Sequence, residues 1–481
     1  MDYTNDELMK VLEIGIALSS EKNKNRLLDR ILKEGMSISN CDAGTLYLYK
    51  NNKLYFKVMK TNSMNIDRGK DGEPIDLPPV EMDPDNICAY TALEKRPLNI
   101  QNVYDSKDFN FEGPRRYDKM TGYHTQSMIT IPLLDQDEVV GVLQLINAMD
   151  RNGKVIPFAP RLEHIILSLA SLAAIAVTNI RYMEEIKEQM WSFTEAMAET
   201  IDMRTPYNAS HVRNVARYAG KMADYINELN GQGREEEFFS ENRKEQLLLG
   251  ALLHDIGKIT VPTKVMNKAT RLEEHLEKIE ARFLLFKTRY KVQLLEDHLT
   301  KEEYDCKIGR IDDILALVKE VNNAGFLTEE KQAELEAVLS DTYTGEEGIE
   351  PYFTEEEKKN LLIRKGTLTD QERQIMESHV EMTERILKKV HFNYQYRNTM
   401  RWAIQHHECL DGSGYPAHLK AADLETESRI LAVADICDAL LATDRPYKKP
   451  LPKEKAFAIM YDMASEGKLD EKFVRYLEQC I

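Results

Sequence analysis

Five of the eleven histidines fall in four short motifs of the C-terminal half, close to carboxylates. His211 lies four residues before Val215 and eight before Ala219, so on a helix it shares their inward, apolar stripe. His254 and Asp255 end the apolar run Leu252-Leu253, and Lys258 follows one turn later on the same face. His379 follows Ile375 and precedes Met382 and Ile386 on one stripe. His406-His407-Glu408 reads as a helix end that empties into Asp411-Gly412-Ser413-Gly414-Tyr415-Pro416. Asp435 and Asp438 sit on adjacent turns of an apolar helix. Taken singly each feature is ordinary, because a lone inward His is usually a hydrogen-bonded core residue. Together, five His with Asp255 and Asp435 cannot all stay inward and unpaired. Imidazoles with a few carboxylates and no clustered thiolates suit a transition metal: Fe, Mn, Co, Ni or Zn. Seven ligands are too many for one ion and suit two, with one carboxylate bridging. Two cations roughly 3.5–4 Å apart clamp both the attacking and the leaving oxygen of a phosphoryl group. Such an arrangement would suit chemistry at phosphorus.

The rest of the 481 residues must position these groups. Lys+Arg 64 against Asp+Glu 81 gives a net charge of −17, which argues against binding DNA or anionic lipid non-specifically. An anionic substrate would need local cations. The N-terminus has no secretory pattern, and the longest apolar stretch, Ile165 to Val177, is short for a membrane span. The six cysteines form no C-x-x-C pair. A reduced, cytoplasmic protein is expected.

Residues 8–182 read as an α/β unit. A helix over about Leu8–Met36 precedes two strand candidates parted by Asn51-Asn52, a hairpin signal. Two more strands, Ser127–Leu134 and Val139–Ile146, are joined by an acidic turn. A long helix starts near Pro160, and no Gly or Pro follows until Pro206. Within it Met183, Ile186, Met190, Phe193 and Met197 recur as an a/d seam, fitting either a homodimer or one helix packed on its own domain. Residues 183–204 form the connecting helix, and residues 205–475 an all-helical domain, with a charged helical insertion at about 271–362. Thr354/Glu357 and Thr369/Glu372 fit capping boxes.

At the motifs His254-Asp255-Ile256-Gly257-Lys258, His406-His407-Glu408, Asp411–Pro416 and Arg445-Pro446-Tyr447-Lys448, the chain resembles the HD-GYP family. These are HD-domain phosphohydrolases that cleave cyclic di-GMP. The resemblance covers roughly residues 200–270 and 363–470. It implies a helical bundle with the metals between helices. One metal would take His211, His254, Asp255 and Asp435, and the other His379, His406 and His407 with Asp255 bridging. Fe or Mn would be the first choice. The insertion departs from the family pattern, and Tyr207 stands where trinuclear relatives carry Glu, so two metals are expected. Residues 8–182 resemble a GAF domain, through Gly122–Met128, Ile131–Leu134 and Glu138–Asn147. Asn147, Phe158 and Glu163 fit the cyclic-nucleotide signature, whereas Ala148 and Leu162 depart from it. The resemblance implies a small-molecule or cyclic-nucleotide ligand, with His124 and Cys41 as packing residues.

The expected activity is hydrolysis of cyclic di-GMP to linear pGpG, GMP or both, regulated by the GAF sensor. Lys258 would stabilise charge at phosphorus, and Arg445 and Lys448 would hold the second phosphate. Tyr415 and the backbone of Gly412 and Gly414 would wall the purine. Glu408 and Asp438 would orient His ligands. Two other readings stand beside this one. The substrate could be another cyclic dinucleotide, or the protein could be a slow receptor whose Gly-Tyr-Pro loop docks partner proteins.

Overall fold

In the computed structural model the chain forms two compact units, Met1–Met190 and Trp191–Ile481. All residues are described except 1–4, 22, 107–108, 113–114, 116–117, 120–121, 205–209, 345–347 and 443–450.

The first unit is built on an antiparallel sheet of order β3-β2-β1-β7-β6-β5, with β4 on β2 and β8 on β7. Its strands are β1 Cys41–Lys50, β2 Lys53–Thr61, β3 Ile66–Arg68, β4 Val80–Glu81, β5 Leu98–Ile100, β6 Met128–Asp135, β7 Glu138–Met149 and β8 Val155–Ile156. Asn51 and Asn52 both take left-handed backbone (φ 49° and 59°), as a two-residue hairpin of the sheet's twist requires. One expectation fails at the start of the chain. The single opening helix is two, Asn5–Ser20 and Lys24–Ser39, because Asn23 turns extended and caps the second through Arg26 N–H. Leu27, Ile31 and Leu32 then bury one face of that helix against Leu143 and Leu145 of β7.

The long helix runs without interruption from Pro160 to Asp202. Leu169, Ala170, Ala173 and Ala174 seal the first unit's core. By length and composition this helix contains an 18-residue window that could cross a membrane, contrary to the expectation from Ile165–Val177 alone; half of that window is buried. Met183, Ile186 and Phe193 of the expected seam are exposed, while Met197 packs into the second unit.

The second unit is helical among its described residues apart from one short hairpin. The helices His211–Gly231, Glu241–Leu253 and Thr426–Leu441 share a core of Val215, Met222, Leu247, Trp402 and Leu431, closed by Phe473 and Leu477 of the last helix. The insertion has a core of its own around Phe283, Ile311, Val318, Leu335 and Phe353. Arg271, wholly buried, closes its neck: Nε donates to Ile363 O at 3.0 Å and a terminal nitrogen to Val321 O at 2.6 Å. Both expected capping boxes form, at Thr354/Glu357 and Thr369/Glu372.

Glu235 ties the last helix to the chain after Gly231. Its Oε2 lies 2.8 Å from Lys472 Nζ and accepts from Tyr476 OH at 2.7 Å. Burial alone would raise its pKa, but Lys472 and Tyr476 outweigh burial and bring it to about 2. A carboxylate held below its ordinary value stabilises the fold above about pH 4.5, and that contribution is lost as pH falls toward about 2. Lys472 is partly solvated, which leaves about 1–2 kcal/mol. Glu235→Gln is therefore expected to lower the unfolding temperature at neutral pH. The gap from wild type should close progressively below about pH 4.5 in thermal melts.

Candidate metal centre

Three of the site histidines are placed by one local device. The last carbonyls of a helix have no partner within it. His254 follows the helix ending at Leu253, and its Nδ1 donates to Ala251 O at 2.6 Å. His379 does the same to Met376 O, behind the helix Asp370–Glu377, and His406 to Ala403 O, behind Thr399–Ile404, each at 2.6 Å. Each ring is thus fixed with Nδ1 protonated and Nε2 presenting a lone pair. All three Nε2 atoms are buried without a hydrogen-bond partner, and so is Asp255 Oδ1. Four orphaned polar atoms in one buried place would be costly unless a cation binds them.

Asp255 stands between two groups of rings. Its Oδ2 lies 3.4 Å from His211 Nε2 and 3.2 Å from His254 Nε2, and its Oδ1 lies 3.3 Å from His379 Nε2 and 3.8 Å from His406 Nε2. Asp435 spans the groups from the other side, with Oδ1 3.2 Å from His211 Nε2 and Oδ2 3.8 Å from His407 Nδ1. Ligand atoms of His211, His254 and Asp255 come within metal-binding reach of one another, and so do those of His379, His406 and His407. The donor set fits two cations of the kind that imidazole and carboxylate select.

The electrostatics agree with this reading. Burial drives His406 well below its ordinary value and His407 down to about 3, so both rings are neutral and could ligate a cation. Burial alone would raise Asp255, but His254, Lys258 and His211 outweigh it and hold the carboxyl well below the usual range. Burial opposes a proton on His211, yet Asp255, Asp435 and Asp438 overcome it and keep that ring protonated. A divalent cation would compete with that proton for the same carboxylates.

Asp438 Oδ2 takes the other nitrogen of His211, Nδ1, at 2.7 Å. Removing such an orienting partner usually weakens metal binding by about 10- to 100-fold. Asp438→Ala is expected to do so in a Mn(II) titration, with helical content unchanged.

One expected role changes. Glu408 does not orient a histidine: its carboxylate accepts from Ala417 N–H at 2.7 Å and Leu419 N–H at 2.9 Å, bracing the loop after Pro416. Gly414 is pressed against its own chain. A Cβ there would lie 2.3 Å from Cys409 N and 2.5 Å from His407 O, so the close approach is to the chain itself. Lys258 forms an ion pair with Asp255, one turn away on the same face. Gly412 makes the turn with φ +84°. The Tyr415 ring packs 4.8 Å from His407, at the mouth of the second group. Arg445, Lys448 and Tyr207 lie outside the described residues.

Two residues at the site carry no sequence signal. Thr383 Oγ1 donates to His254 O and accepts from Gly257 N–H, each at 3.0 Å, joining the His379 helix to the His-Asp turn. Asp202, at the end of the long helix, is buried, and burial pushes its carboxyl up to about 6.

The first unit holds a cavity of about 400 Å³, lined by Tyr47, Phe56, Met59, Ile87, Met128 and Gln144 among others. Tyr47 OH donates to Gln144 Oε1 at 3.0 Å, and Lys60 at the lining pairs with Asp67 at 3.6 Å. His124 stacks on Tyr104 at 4.8 Å, and Cys41 is buried. Asn147 serves the backbone: with φ 60°, its side chain accepts from Gln126 N–H and donates to His124 O.

Residues 23–177 match the GAF domain family, and residues 208–342 and 356–473 each match an HD domain family. The chain is 39% identical over 100 residues to 3'3'-cGAMP-specific phosphodiesterase 3 of Vibrio cholerae, covering 21% of each chain. It is 40% identical over 97 residues to a cyclic di-GMP phosphodiesterase of Thermotoga maritima, 20% of this chain and 26% of that one. It is 36% identical over 110 residues to the cyclic di-GMP phosphodiesterase response regulator RpfG of Xanthomonas campestris, 23% and 28% respectively. The chain thus spans between 21% and 28% of these relatives' length.

Proposed function

We propose that this chain, a GAF domain followed by HD domain sequence, is a metal-dependent phosphodiesterase that hydrolyses cyclic di-GMP to linear pGpG, GMP or both. The observation that carries the reading is Asp255, a buried carboxylate with one oxygen toward each of two histidine groups. His211, His254, Asp255 and Asp435 would hold one divalent ion. His379, His406 and His407 with Asp255 would hold the other, Fe or Mn being preferred. Bound there, the ions would supply Lewis-acid activation of water and of the phosphoryl oxygens. The chain's own residues do the remaining work. The three i−3 carbonyls lock the rings, so the ligand lone pairs need no rearrangement on binding. Tyr415 forms an aromatic surface beside His407 on which a purine can stack. Lys258 pairs with Asp255 and would stabilise charge developing at phosphorus. Arg445 and Lys448 are assigned to the second phosphate.

The GAF cavity would hold a small regulatory ligand. A cyclic nucleotide is the weaker candidate, because the cationic side chain at the lining, Lys60, already has Asp67 as partner. The exposed Met183, Ile186 and Phe193 favour a parallel homodimer along the long helix. A second reading, with 3'3'-cGAMP as the substrate, is favoured by the similarity to the Vibrio cholerae enzyme. Product analysis decides: the full chain, loaded anaerobically with Fe(II) or Mn(II), is given each dinucleotide in turn. Linear product from cyclic di-GMP, abolished by a chelator, is expected. Turnover of 3'3'-cGAMP alone would select the second reading, and tight binding without turnover would make the protein a receptor.

A further inference from the structure

The end of the long helix lies against the immediate neighbours of four of the metal-site residues. Ile201 packs in a cluster with Leu253, Ile256 and Ala403, which adjoin His254 and Asp255 and supply the carbonyl that fixes His406. Ala198 packs with Val212, next to His211, and with Leu252. Beyond the last helical residue, Arg204 reaches across to the turn that follows Asp255. That turn is a 3-10 helix, Ile256–Thr260, which begins immediately after Asp255. One terminal nitrogen of Arg204 donates to Lys258 O at 3.2 Å and to Ile259 O, and the other to Val261 O at 3.4 Å. A guanidinium thus gathers carbonyls at the end of this turn, where a cation is also favoured.

From this we infer that Arg204 is a positioning residue: it clamps the far end of the turn that starts at Asp255, so a displacement of the long helix moves Asp255 and Lys258. The geometry explains why a single point charge would not suffice, since the acceptors are spread over Lys258, Ile259 and Val261 and need a forked donor. On the other side the turn is held rigidly, by Gly257 N–H on Thr383 Oγ1. It is therefore held on two sides, and one of the two fixings is Arg204, two residues beyond the end of the long helix.

The inference rests on the proposed metal-dependent reading, so the test has two arms, metal binding and turnover. Mn(II) alone is titrated into the full chain as wild type, Arg204→Ala and Arg204→Lys, and turnover of cyclic di-GMP is measured on the same samples. Arg204→Ala is expected to bind Mn(II) about 10- to 100-fold more weakly and to lose kcat with KM little changed. Arg204→Lys should recover only part of both. If Arg204→Ala does not fold, by circular dichroism, the Lys variant decides alone. Wild-type Mn(II) affinity in the folded variants would overturn the inference, whatever the turnover. Weaker Mn(II) binding in a protein whose wild type hydrolyses no cyclic dinucleotide would instead leave the inference standing and remove the proposed activity.

Discussion

Asp255→Asn is expected to lower turnover by about 10³-fold or more while the second unit keeps its helical content. The substitution keeps the shape of the side chain and changes its chemistry. Both carboxylate oxygens now face imidazole nitrogens, Oδ2 toward His211 and His254 and Oδ1 toward His379 and His406. An amide presents one acceptor and one N–H₂ group, so one group of rings would meet a donor where its cation must bind. The charge that balances two divalent ions also disappears from a site that is buried. A loss of several kcal/mol in charge stabilisation corresponds to about three decades in rate. Lys258, released from its partner, is one-fifth exposed and can reach water, so the fold should survive. Steady-state kinetics beside circular dichroism checks both halves of this expectation. Near-wild-type turnover in the Asn variant would leave Asp255 without the role assigned to it.

Gly257→Ala is expected to be the most damaging small substitution in the second unit. A Cβ at this position would stand 1.9 Å from His379 O and 2.6 Å from Thr383 N. Its backbone does not require glycine by conformation, since φ is not in the left-handed region; the conflict is contact with atoms that cannot step aside. Relief would need the His379 helix and the His-Asp turn to separate, breaking the Thr383 bridge and carrying His379 Nε2 away from Asp255. Overpacking against side chains typically costs about 1–3 kcal/mol, and contact with backbone belongs at or beyond the top of that range. A thermal melt should show a clear fall in midpoint, and metal binding should weaken with it. A variant as stable as wild type would mean that the two elements part more easily than this packing implies.

What could be read from the sequence was governed by distance along the chain. The candidate His ligands stood out because each ends or lines an apolar helical run, and Asn51-Asn52 gave its hairpin away because a turn is decided by its own two residues. The break at Asn23 was missed because the apolar spacing continues across it and only the capping hydrogen bond reveals the stop. Glu408 follows two histidines and so invited a role beside them, yet its partners, Ala417 and Leu419, lie on the far side of the loop. Gly414 was rightly seen as a close approach, but spacing cannot say to what. Thr383 and Arg204 had no signal, because each acts through contacts from about 50 to 130 residues away, and Asp202 had none because its burial is set by the fold.

The most direct test of the account is the metal content of the full-length protein, purified anaerobically, saturated with Fe(II) or Mn(II) and freed of excess ion. Two ions per chain are predicted in the wild type, falling to one or none in Asp255→Asn, with activity tracking occupancy. A wild-type protein that holds no transition metal, or one whose cyclic di-GMP hydrolysis persists after the metal is stripped, would contradict it.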